Sequence, residues 1–179
     1  MIAEFKVFDI PINEYMQMTG ERRLYYDTLI AKMQPNCKEC KGLHDLTFDE
    51  VETMKLILAN VDIEKFYILW QIHKKKKFNP DKIGILEFMN VWKHSLEILQ
   101  KVAELEQQLK GGINVRLEVA GIDEFKKLGA QAVKIKLGKE FGMRPKEIGE
   151  WLWFEVFNIR LFNRIEDNIT QRLLKQQTQ

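Results

Sequence analysis

Ile83-Gly84-Ile85-Leu86-Glu87-Phe88-Met89-Asn90-Val91-Trp92-Lys93-His94-Ser95-Leu96-Glu97-Ile98-Leu99-Gln100-Lys101-Val102-Ala103-Glu104-Leu105-Glu106-Gln107-Gln108-Leu109-Lys110 is the stretch on which the reading of the fold turns. Phe88, Val91 or Trp92, Leu96, Leu99, Val102 or Ala103, and Leu109 recur every three or four residues, which lays one apolar stripe along a helix. Gly111-Gly112 comes next and supplies a helix stop. A stripe this long has to be covered by further helices, so the expectation is a mainly α fold, helix on helix.

Upstream, Thr47 and Glu50 have the spacing of a capping box: the hydroxyl accepts from the third amide while the carboxylate reaches back. Val51, Met54, Ile57 and Leu58 behind it form an apolar stripe, which predicts a helix. In the segment at 66–72, Phe66, Ile68, Leu69, Trp70 and Ile72 are crowded together, as in a buried helix, although a central strand has the same composition. Residues 21–33 carry Leu24, Tyr25, Thr28, Leu29 and Lys32 at helical spacing, with Pro35 as the stop. Residues 13–18 predict a short helical turn, and residues 5–11 an extended arm or edge strand ending at Pro11.

Downstream, Ile113-Asn114-Val115-Arg116-Leu117-Glu118-Val119 alternates apolar and polar, the pattern of a half-buried strand. Val133-Lys134-Ile135-Lys136-Leu137 alternates too and is the candidate second strand, with helix expected at 123–132 between them. Pro145 stands where a first helical position belongs, and apolar residues recur from Ile148 to Leu174 in one long C-terminal helix. The expected fold is therefore mainly α: a helical domain with a small β element (113–119, with 133–137 as its partner) and a long C-terminal helix. Residues 1–110 would form a helical N-terminal region and 111–179 the remainder, unless the two make one continuous domain.

The chain has 179 residues, 45% hydrophobic and 30% charged, which is globular composition and excludes wholesale disorder. A net charge of +2 is too balanced for a protein built mainly around nucleic-acid phosphates. No apolar run approaches the roughly 20 residues of a membrane span, and Met1-Ile2-Ala3-Glu4 does not open a signal peptide. A protein of a reducing compartment, without membrane contact, is expected.

Catalytic signatures are missing. There is no GxxxxGK phosphate loop, no GxGxxG fingerprint and no HExxH. The one serine, Ser95, neighbours His94 on a helix, where adjacent side chains point about 100° apart and cannot form a nucleophile–base pair. The carboxylates at Asp45, Asp49, Glu50 and Glu52 suit the positive end of a helix dipole. The expectation is no enzyme, no catalytic residues and no cofactor.

Cys37-x-x-Cys40 is the one metal-like motif. Two closely spaced thiolates make half of a zinc site; the other half would have to come from His44 with Asp45 or Asp49, or from His73. With no second pair in sequence, the cysteines are expected to be reduced and to hold no metal; a zinc-stabilised interaction module is the alternative. Lys74, Lys75, Lys76 and Lys77, together with Arg144 and Lys146, are the candidate nucleic-acid contacts, although a lysine run beside Asn79-Pro80 also suits a solvated turn.

Leu137-Gly138-Lys139-Glu140-Phe141-Gly142-Met143-Arg144-Pro145-Lys146-Glu147-Ile148-Gly149-Glu150-Trp151 resembles a DNA-binding helix-turn-helix. Gly138 matches the small residue at the helix crossing, Gly142 the turn, and Ile148 and Trp151 the buried positions of the second helix. The resemblance implies a DNA-binding regulator or packaging protein. Glu147, Gly149 and Glu150 depart from the basic and amide side chains that a recognition helix presents, which favours a corner used for packing.

Ile159, Phe162, Ile165, Ile169 and Leu173 continue an apolar stripe late in the chain. Phe162, Ile165, Ile169 and Leu173 are the candidate partner-binding residues, with 176–179 expected to extend along the partner. Leu46-Thr47-Phe48-Asp49-Glu50, Ile85-Leu86-Glu87-Phe88 and Pro145-Lys146-Glu147-Ile148-Gly149-Glu150-Trp151 each lead from a short polar or glycine start into a helix opened by a carboxylate and an aromatic. In this the chain resembles small structural and assembly proteins (neck, ring or tail-assembly) of tailed bacteriophages. The resemblance implies a non-enzymatic virion protein that binds other subunits in a symmetric complex, located in the virion or the host cytoplasm.

Overall fold

The computed structural model describes residues 9–60, 65–109 and 127–177. Among them are eight α-helices: α1 (Ile12–Gln17), α2 (Gly20–Lys32), α3 (Phe48–Ala59), α4 (Phe66–Lys74), α5 (Ile85–Gln107), α6 (Ala130–Phe141), α7 (Pro145–Gly149) and α8 (Trp153–Gln177), with a 3-10 turn at Leu43–Asp45. The protein is mainly α. None of the described helices is long and apolar enough to cross a membrane.

The chain divides into two compact units, Met1–Lys41 with Ile57–Ile98, and Gly42–Leu56 with Leu99–Gln179. Neither unit is a continuous stretch, because α3 and α5 each contribute residues to both.

In the first unit the core gathers Ile10, Tyr15, Tyr26, Trp70, Ile83, Ile85, Phe88 and Val91. The expected arm delivers its last residues to this core. Pro11 forms an isolated antiparallel bridge with Gly84, with Ile12 N donating to Ile83 O and Ile85 N to Ile10 O. The Asp9 carboxylate then accepts from Leu86 N at 2.8 Å and Glu87 N at 3.1 Å, capping α5 from another segment. A side chain at position 84 would run into that carboxylate and push it out of the cap. The 66–72 segment is helix, not strand.

In the second unit the expected capping box is present: Glu50 N donates to Thr47 Oγ1 and Thr47 N to Glu50 Oε2. Here too an isolated bridge, Thr47 with Leu152, fixes two helix starts at once. Phe48 N donates to Trp151 O at 2.8 Å and Trp153 N to Leu46 O at 2.9 Å. That pairing interrupts what the sequence predicts as one helix from 148 onward, so α7 and α8 are separate.

Three further expectations change. Residues 133–137 lie inside α6 and are not a strand. Five residues of alternation also place Val133 and Leu137 four apart on one helical face, and Leu137 is the buried one. The partner stretch 113–119 lies outside the described residues. On α5 the buried positions are Ile85, Phe88, Val91, Ser95, Ile98 and Val102, whereas Leu96 is exposed, because the core takes the stripe that includes the polar Ser95. At the C-terminal corner, Trp151 is half-buried against Phe141, and Trp153 is the buried indole at 1% exposure, stacked on Phe157.

Trp153→Ala should therefore cost about 3–5 kcal/mol, the range for a deleted buried aromatic. Trp151→Ala should cost distinctly less. Denaturant unfolding of the two variants checks the order; equal losses would contradict the burial assignment.

Candidate functional site

Among the described residues, an exposed apolar stripe with regular spacing lies on α8. Phe162, Ile165, Ile169 and Leu173 are spaced by three and four residues and share one face. They are 66%, 50%, 53% and 54% exposed. On the first two turns of the same helix, Trp153, Val156 and Phe157 are buried. The helix thus anchors by its N-terminal part and presents the later stripe to solvent. Leu174 adds to it.

The 137–151 corner has the helix–turn–helix geometry that its sequence resembles. α6 ends at Gly142, which is left-handed at φ 68°, and Pro145 opens α7. A Cβ on the buried Gly138 would stand 2.6 Å from the Met143 carbonyl oxygen, so the close approach demands glycine. Ile148 is fully buried, as expected of the second helix. Of the candidate phosphate contacts here, Lys146 is exposed, and the Arg144 guanidinium is spoken for by Glu147 at 2.9 Å. The Glu147 hydrogen bonds hold that guanidinium above its usual range, and Arg144 in turn holds the Glu147 carboxyl below the usual carboxylate range. Glu147 also accepts from Arg144 N, so the pair is part of the α7 cap.

In the first unit, the Lys74 ammonium is largely covered and lies between Glu39 and Glu87, at 3.4 and 3.5 Å. Lys75 is left-handed at the C-terminus of α4, and Lys75, Lys76 and Lys77 are exposed.

One polar face of α5, formed by Asn90, Lys93 and His94, grips the loop after α2. Asn36 N donates to Asn90 Oδ1, Lys93 Nζ donates to the carbonyls of Ile30, Ala31 and Met33, and His94 Nε2 donates to Lys41 O. A cation on the terminal carbonyls of α2 is the favourable sign for a helix C-terminus. The loop itself carries Cys37 and Cys40, joined here as a disulfide rather than as the reduced pair expected from sequence. The Cys40 N to Cys37 O turn brings their Cα atoms to 5.3 Å, inside disulfide range.

Cys40, His73 and His94 converge, their ligand-type atoms all within 4.8 Å of one another. The sequence-derived partners for the cysteines are mostly elsewhere: exposed His44 stacks on Phe154, Asp45 accepts from Gly42 N, and Asp49 pairs with Lys134. Of those candidates only His73 lies in the cluster. His94 is not among them, because no recognised ligand spacing connects it to Cys37 and Cys40. Ser95 Oγ also has partners: it lies 3.0 Å from His73 Nε2 and 2.9 Å from Val91 O.

A groove of about 270 Å³ in the second unit is lined in part by Lys136, Arg160, Arg164 and Asp167. Burial lowers the Arg160 guanidinium below its usual range, opposed by Glu106.

Comparison with known proteins gives no matching family model, no matching curated protein and no matching solved structure.

Gly138→Ala should destabilise the protein by about 1–3 kcal/mol, the cost of forcing an extra methyl against fixed neighbours. Arg144→Ala should be nearly silent in thermal unfolding, since an exposed ion pair contributes little. A silent Gly138→Ala would show that the corner is not closely packed.

Proposed function

We propose that this chain is a non-enzymatic structural or assembly protein that binds other protein subunits in a symmetric complex through helical surfaces. The observation that carries the reading is the solvent-exposed stripe Phe162, Ile165, Ile169 and Leu173 on a helix whose first turns are anchored in its own unit. Burying each such side chain is worth about 1.5–3 kcal/mol before ordering costs. Contiguous exposed apolar surface of this kind marks an interaction site. Spacings of three and four suit knobs-into-holes packing against another helix.

The narrower reading, a subunit of a phage neck or tail complex in the virion or host cytoplasm, draws its support from the sequence resemblance. The second reading, a DNA-binding regulator or packaging protein, draws on the 138–151 corner. Against it stand the brevity of α7 and the engagement of Arg144 by Glu147.

Ile165→Asp with Ile169→Asp should leave the helical circular dichroism of the isolated chain near wild type while preventing assembly, read as mass by light scattering. A wild-type chain that stays monomeric with its copies and candidate partners would refute the interface. Collapse of the double mutant as a monomer would place the stripe in the chain's own core. Duplex DNA titrated at two salt concentrations separates the second reading, since a phosphate-dependent binder loses affinity steeply as salt rises.

A further inference from the structure

We propose that the first unit contains a Cys2His2 site for Zn²⁺, formed by Cys37, Cys40, His73 and His94 when the two cysteines are reduced. The four residues come from three elements of the same unit: the loop after α2, the last turn of α4 and the middle of α5. The ligand-type atoms of Cys40, His73 and His94 lie within 4.8 Å of one another, and Cys37 Sγ is held at Cys40 Sγ. Tetrahedral zinc, with Zn–N near 2.0–2.1 Å and Zn–S near 2.3 Å, sets its ligand atoms roughly 3.3–3.8 Å apart. Small side-chain adjustments close that difference.

The hydrogen bonds around the cluster bear on which ring nitrogen of each histidine carries the lone pair. With the Ser95 hydroxyl donating to Val91 O, Ser95 Oγ is free to accept an N–H from His73 Nε2, the arrangement the site requires. Lys41 O is a carbonyl and can only accept, so His94 Nε2 is likewise the protonated nitrogen. When each ring is neutral, this leaves its lone pair on Nδ1. Metal-binding histidines characteristically donate their other ring N–H to a carbonyl, carboxylate or other acceptor, which fixes tautomer and orientation. Both imidazoles here are held in that way before any ion arrives. His73 is 2% exposed, a burial that suits a ligand in a closed structural site. Two thiolates with two imidazoles in tetrahedral array select zinc among the common divalent ions.

The disulfide is the oxidised form of the same loop. A phosphine reductant supplies two electrons and becomes its oxide, taking oxygen from water while the two water protons complete the two thiols. Binding Zn²⁺ then releases both thiol protons as the four bonds form. The ion would tie the loop to α4 and α5, adding to the grip of Asn90 and Lys93. This inference is independent of the α8 interface, and loss of assembly does not bear on it.

The test uses the full chain, reduced anaerobically with tris(2-carboxyethyl)phosphine, stripped with chelator, and titrated with Co²⁺ and then Zn²⁺. One Co²⁺ per chain should give tetrahedral visible bands and a thiolate-to-cobalt charge-transfer band, both abolished by one equivalent of Zn²⁺. The oxidised chain should give neither. Cys37→Ser and His94→Gln should each weaken Zn²⁺ at least about 100-fold, beyond the 10–100-fold expected for Ser95→Ala, which removes an outer partner. Exposed His44→Gln should have no effect. If a ligand variant fails to fold, Ser95→Ala and His44→Gln still decide. A reduced wild type without the charge-transfer band, unchanged affinity in Ser95→Ala or in a folded ligand variant, or loss of the band in His44→Gln would overturn the assignment.

Discussion

Helix starts leave backbone amides without acceptors, and the way each unit supplies those acceptors organises the rest of the fold. Both units use an isolated antiparallel bridge, Pro11 with Gly84 and Thr47 with Leu152, placed so that one pairing sets two helix entries. Asp9 then caps α5 across the chain, while Thr47 and Glu50 cap α3 locally. The glycine at 84 leaves room for that arrangement, because the Asp9 carboxylate occupies the space a side chain would need. With their starts held, the helices can present defined faces to their cores.

The α5 helix presents two such faces. Its apolar positions Phe88, Val91, Ile98 and Val102 are buried, and Ser95 sits among them at zero exposure. A buried hydroxyl needs partners, and Ser95 finds them in Val91 O and His73 Nε2. On an adjoining face, Asn90, Lys93 and His94 serve a loop with little regular structure of its own, taking an amide here and donating to carbonyls there. That loop carries the two cysteines. Holding an irregular segment by polar side chains from a long helix places sulfur and imidazole together without a contiguous motif.

The α8 helix has the opposite character. Its first turns are buried through Trp153, Val156 and Phe157, and its later apolar residues face solvent. A stripe left uncovered on an anchored helix is the physical basis for reading this chain as one that works by contacting other proteins. The corner before it, with Gly138 against the Met143 carbonyl and Arg144 neutralised by Glu147, has the traits of packing more than of groove reading.

Local patterns were legible from the amino-acid order alone wherever the deciding interaction is local. The α5 helix, the Thr47–Glu50 box, Pro145 at a first helical position and Gly142 at a turn depend on neighbours three or four residues away, and those are visible in sequence. The apolar spacing of Phe162, Ile165, Ile169 and Leu173 was legible for the same reason. What tertiary contacts settled were the choices with two local solutions. Five alternating residues at 133–137 satisfy a strand and a helix equally, and packing of Leu137 selects the helix. Ser95 replaced Leu96 on the buried stripe because a polar side chain can be buried once distant partners satisfy it. The break between α7 and α8 required Leu46 and Phe48, about a hundred residues away in sequence, to pair with the chain there. His73 and His94 reached the cysteines by the same rule: side chains far apart in sequence become neighbours only when packed helices bring them together, and no local spacing records it.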